Sequence, residues 1–586
     1  MQDVKDIWKS RIAAALAALA AENGIELSLD PAQIVVEIPP KPELGDLGFP
    51  LFGFAKLLRK GPPLIAKDVC RLLAADPAAA SLGSASAEGP YVNVKVSKES
   101  LAQAWFRDML DPDSHFGRPD ALAGKRIMVE FSSPNTNKPL HLGHLRNDVL
   151  GESVSRISAA CGAQVRKVCI INDRGVHICK SMLAYSQYGE GKTPESENIK
   201  SDRFVGDWYV RFHGMTKEDP SAEERAQELL RKWEAGDAST VALWKKMNAW
   251  ATQGMKATYE RTGVSFDQYY YESETYLKGK DEVLKGLAQG LFYKEEDGSV
   301  WVDLSAEGLD KKVLLRKDGT SLYITQDIGT AIYRHTDWEF DRLIFVVGSE
   351  QRYHFKVLFK ILDKLGFSWA KDLFHLSYGM VNLPEGKMKS REGTVVDADD
   401  LLDKLKGMAL EEIRGKDREE AVGDGDAVAE KVALGALHYF LLQVSASKDM
   451  LFNPQESLSF NGNTGPYLQY MGARISSMIR KASSSPAASG TVRPELLTSE
   501  AEWDVIKTLA EYPAVVSEAA VKLDPSLVAV YLYSLAKTFS RFYHDCPILN
   551  AETPDLAASR LALSRGVLRV LKEGLSLICI PFLETM

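Results

Sequence analysis

His141-Leu-Gly-His144 sits between an apolar run, Ile127 to Phe131, and a segment with helical spacing. The connecting stretch, Ser132-Ser-Pro-Asn-Thr-Asn-Lys-Pro139, is a Pro/Asn-rich turn, so the order is strand, gap, helix N-terminus. Unpaired N–H groups and the positive end of the helix dipole favour an anion at such a place, and two imidazoles add donors to it. A nucleotide is the ligand this chemistry suits. The alternative is that both histidines only cap the helix.

Apolar residues at Leu145, Val149, Val154, Ile157 and Cys161 predict a helix over roughly 145 to 161, closed by Gly162. Val165 to Ile171 follows as a second apolar strand ending in Asn172-Asp173. Near-continuous apolar strands flanking a helix imply a parallel sheet covered on both faces, with right-handed crossover and ligands at the strands' carboxyl ends. The expected fold class is therefore α/β, with a Rossmann-like parallel-sheet catalytic domain.

Far downstream, Pro384-Glu-Gly-Lys387-Met388-Lys389-Ser390-Arg391-Glu-Gly393 forms a glycine-bracketed basic loop after another apolar strand, His375 to Val381. Such a loop can be a solvated charge cluster, or it can clamp a triphosphate whose charge is redistributed during reaction. Paired with His-x-Gly-His, it resembles the second signature of class I aminoacyl-tRNA synthetases. Within that class, Ser-Pro-Asn-Thr-Asn-Lys-Pro-Leu-His-Leu-Gly-His-Leu-Arg-Asn is similar to the extended motif of the arginyl-tRNA synthetases. Ser321-Leu-Tyr323-Ile-Thr-Gln-Asp327, Gly348-Ser-Glu-Gln351 and Gln469-Tyr470-Met-Gly-Ala-Arg474 match that family as well.

The resemblance implies ATP-dependent ligation of L-arginine to tRNA(Arg) through an arginyl-adenylate, with release of AMP and pyrophosphate. ATP would enter with Mg²⁺, against Pro139, His141, Gly143, His144, Met388 and Lys389. His141, His144, Lys138, Lys387 and Lys389 would be the catalytic groups. Against the class signature Lys-Met-Ser-Lys-Ser the loop reads Lys387-Met-Lys389-Ser390-Arg391. Either the second lysine falls one position early or the register contains a deletion, and Lys138, just ahead of the histidines, stands where the family places a compensating lysine.

For arginine, Asp327 would pair with the guanidinium, Tyr323 and Gln351 would border the side chain, and Glu130 and Asn135 would hold the α-amino group or nearby backbone. A helix N-cap is the alternative for Asp327, and a strand-face aromatic for Tyr323. Tyr470 and Arg474, four apart, read either as a tRNA-binding pair with Tyr470 stacking on an anticodon base or, for Tyr470, as core packing.

At 586 residues the chain has room for three or four domains, and 45% hydrophobic with 26% charged residues is ordinary for a soluble globular protein. The expected division is residues 1–118, an additional α+β domain that the family uses against the corner of tRNA; 119–403, the catalytic domain, with an insertion at about 186–300; and 404–586, an all-α helical bundle for the anticodon. Within the first, Trp8, Ile12, Leu16 and Leu19 share a helix face, and strands are expected at Ile34 to Ile38 and Tyr91 to Val96. A hairpin is expected around Asp297-Gly298, a buried strand at Asp341 to Val347, a turn near 423 and a Ser/Pro/Gly linker at 483–490.

The formal net charge is −9, yet from Lys431 onward acidic and basic residues are equal in number, so the excess lies N-terminal to it. The C-terminal part is the less repulsive surface for RNA, whose splayed loop bases are held by stacking and shape. Six scattered cysteines without a C-x-x-C pair read as reduced thiols, with no structural metal. No membrane span is present, and the acidic N-terminal residues argue against a signal peptide. A cytoplasmic protein follows, with the monomer as the family's commoner state. A different His-x-Gly-His nucleotidyltransferase and an inactive tRNA-binding paralogue are the competing functions.

Overall fold

Five parallel strands form the sheet on which the histidine motif is mounted. They are β1 (Arg126–Glu130), β2 (Gln164–Ile171), β3 (Gln268–Tyr271), β4 (Arg342–Gly348) and β5 (Leu373–Tyr378), in the order β5-β4-β1-β2-β3. Helix α1 (Leu142–Ala160) links β1 to β2, α2 (Val176–Tyr188) follows β2, α3 (Tyr323–Asp337) precedes β4, and α4 (Arg352–Lys364) joins β4 to β5. The computed structural model describes residues 2–110, 114, 116–382, 396–415, 424–482, 487 and 489–586. The loop of Lys387, Met388 and Lys389, the turn near 423 and most of the 483–490 linker lie outside them.

The sheet is held by the apolar runs that announce it. Leu343, Ile344, Phe345 and Val346 of β4 are all buried, and Phe345 lies among Tyr270, Ile324, Ile328, Leu358 and Ile361 in one core. Burial of each such side chain contributes about 1.5–3 kcal/mol. Gly151 of α1 sits against Phe131, where a methyl group would fall 2.2 Å from the ring, so the helix approaches the end of β1 closely only because that position has no side chain.

Two compact units make up the chain. One comprises residues 120–473, 518–530 and 573–586 and contains the parallel sheet; the other comprises 1–119, 474–517 and 531–572. In the second, the helix Gln2–Glu22 buries Trp8, Ile12, Leu16 and Leu19, and Leu47–Pro50, Tyr91–Val96 and Gly83–Glu88 form an antiparallel sheet. Trp105 of that unit packs against Gly566 of its C-terminal helix, Pro554–Leu577.

Several sequence expectations shift. Ile34 to Ile38 is not a strand: only an isolated bridge joins Glu37 to Gly48, and Val35 and Ile38 are exposed. Prolines at 31, 39 and 40 deprive its flanks of N–H donors, which limits ladder pairing. The stretch read as an insertion, about 186–300, holds the helices Ser201–Glu218, Ala222–Glu234 and Ala238–Thr262, but it returns to the sheet before its end, as β3. The hairpin forms as expected, Tyr293–Lys294 pairing antiparallel with Val300–Val302 across Asp297-Gly298. The run His375 to Val381 is divided: β5 stops at Tyr378, and Val381–Asn382 pairs instead with Met450–Leu451.

Candidate active site

Helix α1 begins at the carboxyl end of β1 with His141 as its N-cap residue. The Gly143 N–H donates to His141 Nδ1 at 3.1 Å, and the His141 N–H donates to His144 Nδ1 at 3.2 Å. The histidines do cap the helix, and the capping leaves their other nitrogens available. A neutral ring that accepts at Nδ1 carries its proton on Nε2, so both imidazoles present an Nε2–H donor. Their centroids lie 3.9 Å apart. Burial, with help from the Lys138 charge, lowers His141 to about 3 and His144 well below its ordinary range, so both are neutral donors at physiological pH. Gly143 keeps the helix start open, since a methyl group there would stand 3.0 Å from the His141 ring and press it aside by a few tenths of an ångström.

Lys138 is half-buried, and desolvation lowers its ammonium pKa. Among the described residues no carboxylate pairs with it. It lines, with Pro139 and His141, a cavity of about 240 Å³ whose other wall includes Arg203, Gly206 and Tyr209. Asp207, Asp397 and Asp400 also reach this cavity; as hard oxygen donors they suit the water shell of Mg²⁺. Among the described residues no three metal-ligating side chains converge to hold an ion by themselves.

The same helix is tied to the chain on both sides of the 383–395 stretch. Arg146, 1% exposed, donates to the carbonyl oxygens of Gly379 (2.8 Å), Met380 (3.2 Å), Ala446 (2.9 Å) and Lys448 (2.7 Å). On the far side the Leu142 N–H donates to Val396 O at 3.3 Å, and the Ala398 N–H to Leu140 O at 3.0 Å.

Acidic groups gather elsewhere along the strand ends. Tyr323 opens α3 and is 73% exposed, and Asp327 lies one turn further on the same helix. Neither alternative for them holds: the N-cap is Leu322, and Tyr323 is helical. Asp327 Oδ2 lies 2.6 Å from His354 Nε2. Gln351 is the exposed N-cap of α4, three residues before that histidine. Asn135 is bridged to Asn172, whose side-chain amide donates to Ser133 O at 3.0 Å, so the ends of β1 and β2 are laced together.

Glu130 is turned inward. It pairs with Arg334 of α3, and its second oxygen accepts from Ser133 Oγ at 3.1 Å; both charged groups are almost fully buried. Ser132 and Ser133 adopt positive φ, 66° and 51°, a strained turn of the kind that accumulates at functional sites.

The sequence reading did not single out Glu272, His354, Arg146 or Arg334. Glu272 immediately follows β3, and burial raises its carboxyl to about 7, with Asp173 and Asp327 adding to the shift and Arg174 opposing it. Its position at a strand's carboxyl end is the signal that could have found it. Tyr470 and Arg474 lie on the helix Gly465–Lys481; Tyr470 is half-buried, and the Arg474 guanidinium stands 4.2 Å over the Tyr543 ring.

A parallel sheet whose crossover helix opens on His-x-Gly-His, its imidazoles neutral donors, is the arrangement expected of a class I aminoacyl-tRNA synthetase. The family described as tRNA synthetases class I (R), catalytic domain, matches residues 108–453; the DALR anticodon binding domain matches 468–586, and the arginyl tRNA synthetase N terminal domain matches 6–96. Arginine–tRNA ligase of Treponema denticola is 60% identical over 592 residues, covering 100% of both chains, and that of Bacteroides thetaiotaomicron is 48% identical over 91% of this chain and 92% of its own. The Thermus thermophilus arginyl-tRNA synthetase structure superposes with a TM-score of 0.82 at 27% identity, covering 99% of this chain and 100% of that one. The chain belongs to the arginyl-tRNA synthetase family.

Proposed function

We infer that this protein ligates L-arginine to tRNA(Arg), using ATP and passing through an arginyl-adenylate. Full-length similarity to arginine–tRNA ligases carries the reading. A carboxylate oxygen of arginine attacks the α-phosphorus of ATP and pyrophosphate leaves; a hydroxyl of the terminal adenosine of tRNA then attacks the adenylate carbonyl carbon and AMP leaves.

The protein's part in this chemistry is positioning and charge stabilisation. Nε2–H of His141 and of His144 donates to phosphate oxygens as negative charge moves toward the leaving group, and the Lys138 ammonium faces the same charge. Pro139 and Gly143 border the nucleotide. Mg²⁺ accompanies ATP, with phosphate oxygens as its natural ligands. Lys387, Met388 and Lys389 complete the nucleotide side in this reading. Asp327 takes the guanidinium, Glu272 supplies a second carboxylate, Tyr323 and Gln351 border the side chain, and Asn135 reaches the α-amino group. Glu130, held by Arg334 and Ser133, positions the backbone nearby.

In this reading residues 1–118 meet the corner of tRNA, 404–586 the anticodon, with Tyr470 and Arg474 on that side, and the enzyme works as a cytoplasmic monomer. Among the described residues no helix is long and apolar enough to cross a membrane. The test is aminoacylation of total tRNA with ATP and each amino acid in turn, with Asp327→Ala as control. Charging with arginine alone, lost in the variant, is the expected result. Charging with another amino acid discards the specificity, and tRNA binding without ATP turnover discards the enzyme.

A further inference from the structure

Asp327 is the carboxylate on which recognition of arginine rests in the reading above, and its side chain is 42% exposed on the surface of α3. A guanidinium presents a planar fork of donors, so a bidentate pair forms only when the carboxylate plane is set correctly. A carboxylate free to rotate loses much of that advantage, since such sites tolerate only about 10–20° of error. Something must hold it.

His354 meets that need. Its Nε2 lies 2.6 Å from Asp327 Oδ2, and it is set one turn into α4, three residues after Gln351. The imidazole therefore joins the helix that carries Tyr323 and Asp327 to the one that begins with Gln351. The ring is itself braced, standing edge-on to Phe355 with centroids 5.8 Å apart. An ionised carboxylate has about four lone-pair sites, of which one imidazole N–H occupies one. Enough remain for both prongs of a guanidinium.

We propose that His354 is a positioning residue for arginine, its Nε2–H fixing the plane of the Asp327 carboxylate so that the remaining lone pairs match a guanidinium fork. This rests on the assignment of Asp327 to the arginine side chain. The imidazole need not touch the substrate, and it belongs to the recognition of the amino acid rather than of ATP.

The experiment compares steady-state aminoacylation by the full-length wild type, Asp327→Asn, His354→Ala and His354→Gln, varying arginine and ATP separately. A lost hydrogen bond to a charged group corresponds to about tenfold or more in affinity. His354→Ala should raise the KM for arginine by about that factor, with the KM for ATP and kcat little changed, the pattern of lost ground-state and transition-state binding alike. His354→Gln, whose amide nitrogen can stand near the place of Nε2, should recover most of the loss. Equal damage to arginine and ATP, an unchanged arginine KM in His354→Ala, or a loss that His354→Gln does not recover overturns the proposal. If Asp327→Asn leaves the arginine KM unchanged, the assignment of the pocket fails first and takes the positioning role with it, a result separable from the others because it appears without any change at His354.

Discussion

The two ends of the site handle charge in opposite ways. Around His141, His144 and Lys138 the donors are left open: the imidazoles use only Nδ1 internally, and no described carboxylate pairs with the ammonium. Around Asp327, Glu130 and Asp173 the acceptors are already engaged, by His354, by Arg334 and Ser133, and by Ser273. An anion entering the first end meets donors with no competing partner among the described residues. A cation entering the second meets carboxylates whose orientation is set in advance. Desolvated donors without partners are costly to keep, so the histidine end concentrates strain, whereas at the acidic end hydrogen bonds and an ion pair offset part of the cost of burying the carboxylates.

The largest expected effect tests that last contrast. Glu130→Ala leaves the Arg334 guanidinium, 2% exposed, without its counter-charge, and should destabilise the protein by about 3–5 kcal/mol in urea unfolding. Lys138→Ala should not destabilise it, because it removes a desolvated charge that no described residue pairs with. Equal stability losses in the two variants would erase the comparison.

In rate, His144→Ala should lower kcat for aminoacylation by about 10²–10³, the usual consequence of removing one pre-set donor from developing charge. A loss confined to KM would mean that the ring binds ground state and transition state alike, and a loss of stability with kcat and KM unchanged that it only caps the helix. Next comes Lys138→Ala, expected to slow adenylate formation more than Lys387→Ala does in pyrophosphate exchange measured with tRNA present. The reverse order would move the main cation to the loop and leave the nucleotide end less self-contained than it looks.

What could be read in advance divides along similar lines. The strand, helix and strand from Ile127 to Ile171 were legible because buried apolar runs and helical spacing are local signals, and His141 fell at the helix start for the same reason. β3 was not, because Gln268-Tyr-Tyr-Tyr271 is short, aromatic rather than aliphatic, and follows a long helical insertion. Ile34 to Ile38 misled because its apolar residues outweighed the prolines beside it. At the site, positions within a motif carry a local signal, whereas the partners the fold gives them do not. Arg334 lies on a helix far along the chain from Glu130, and His354 is a helix away from Asp327; nothing in a local pattern announces such pairs. Glu272 escaped for another reason: its chemistry depends on burial beside Asp173 and Asp327, which only the fold brings about.

Glu272 also supplies the smallest effect and the finest test. Its carboxyl is raised to about 7 by burial and by Asp173 and Asp327, against Arg174, so in the folded protein without arginine it is half-protonated near neutrality. A guanidinium favours the ionised form. The KM for arginine should therefore fall as pH rises from about 6 to 8, by at most about tenfold for a group titrating near 7. Stability should move the other way: the unfolded chain ionises this group near its ordinary value while the folded one keeps the proton, so its contribution is lost progressively as pH rises from about 4.5 to about 7 and is constant above that. The imidazoles add no limb to the arginine KM, since His141 has already lost its proton above about pH 4 and His144 titrates well below its ordinary range; in stability they act oppositely, because the unfolded rings bind protons below about pH 6.5 that the folded ones do not, so their contribution rises with pH up to that point. In Glu272→Gln both trends attributable to this residue should vanish. If the arginine limb persists in that variant, the proton belongs to another group and the acidic end is less fully pre-set than its hydrogen bonds imply.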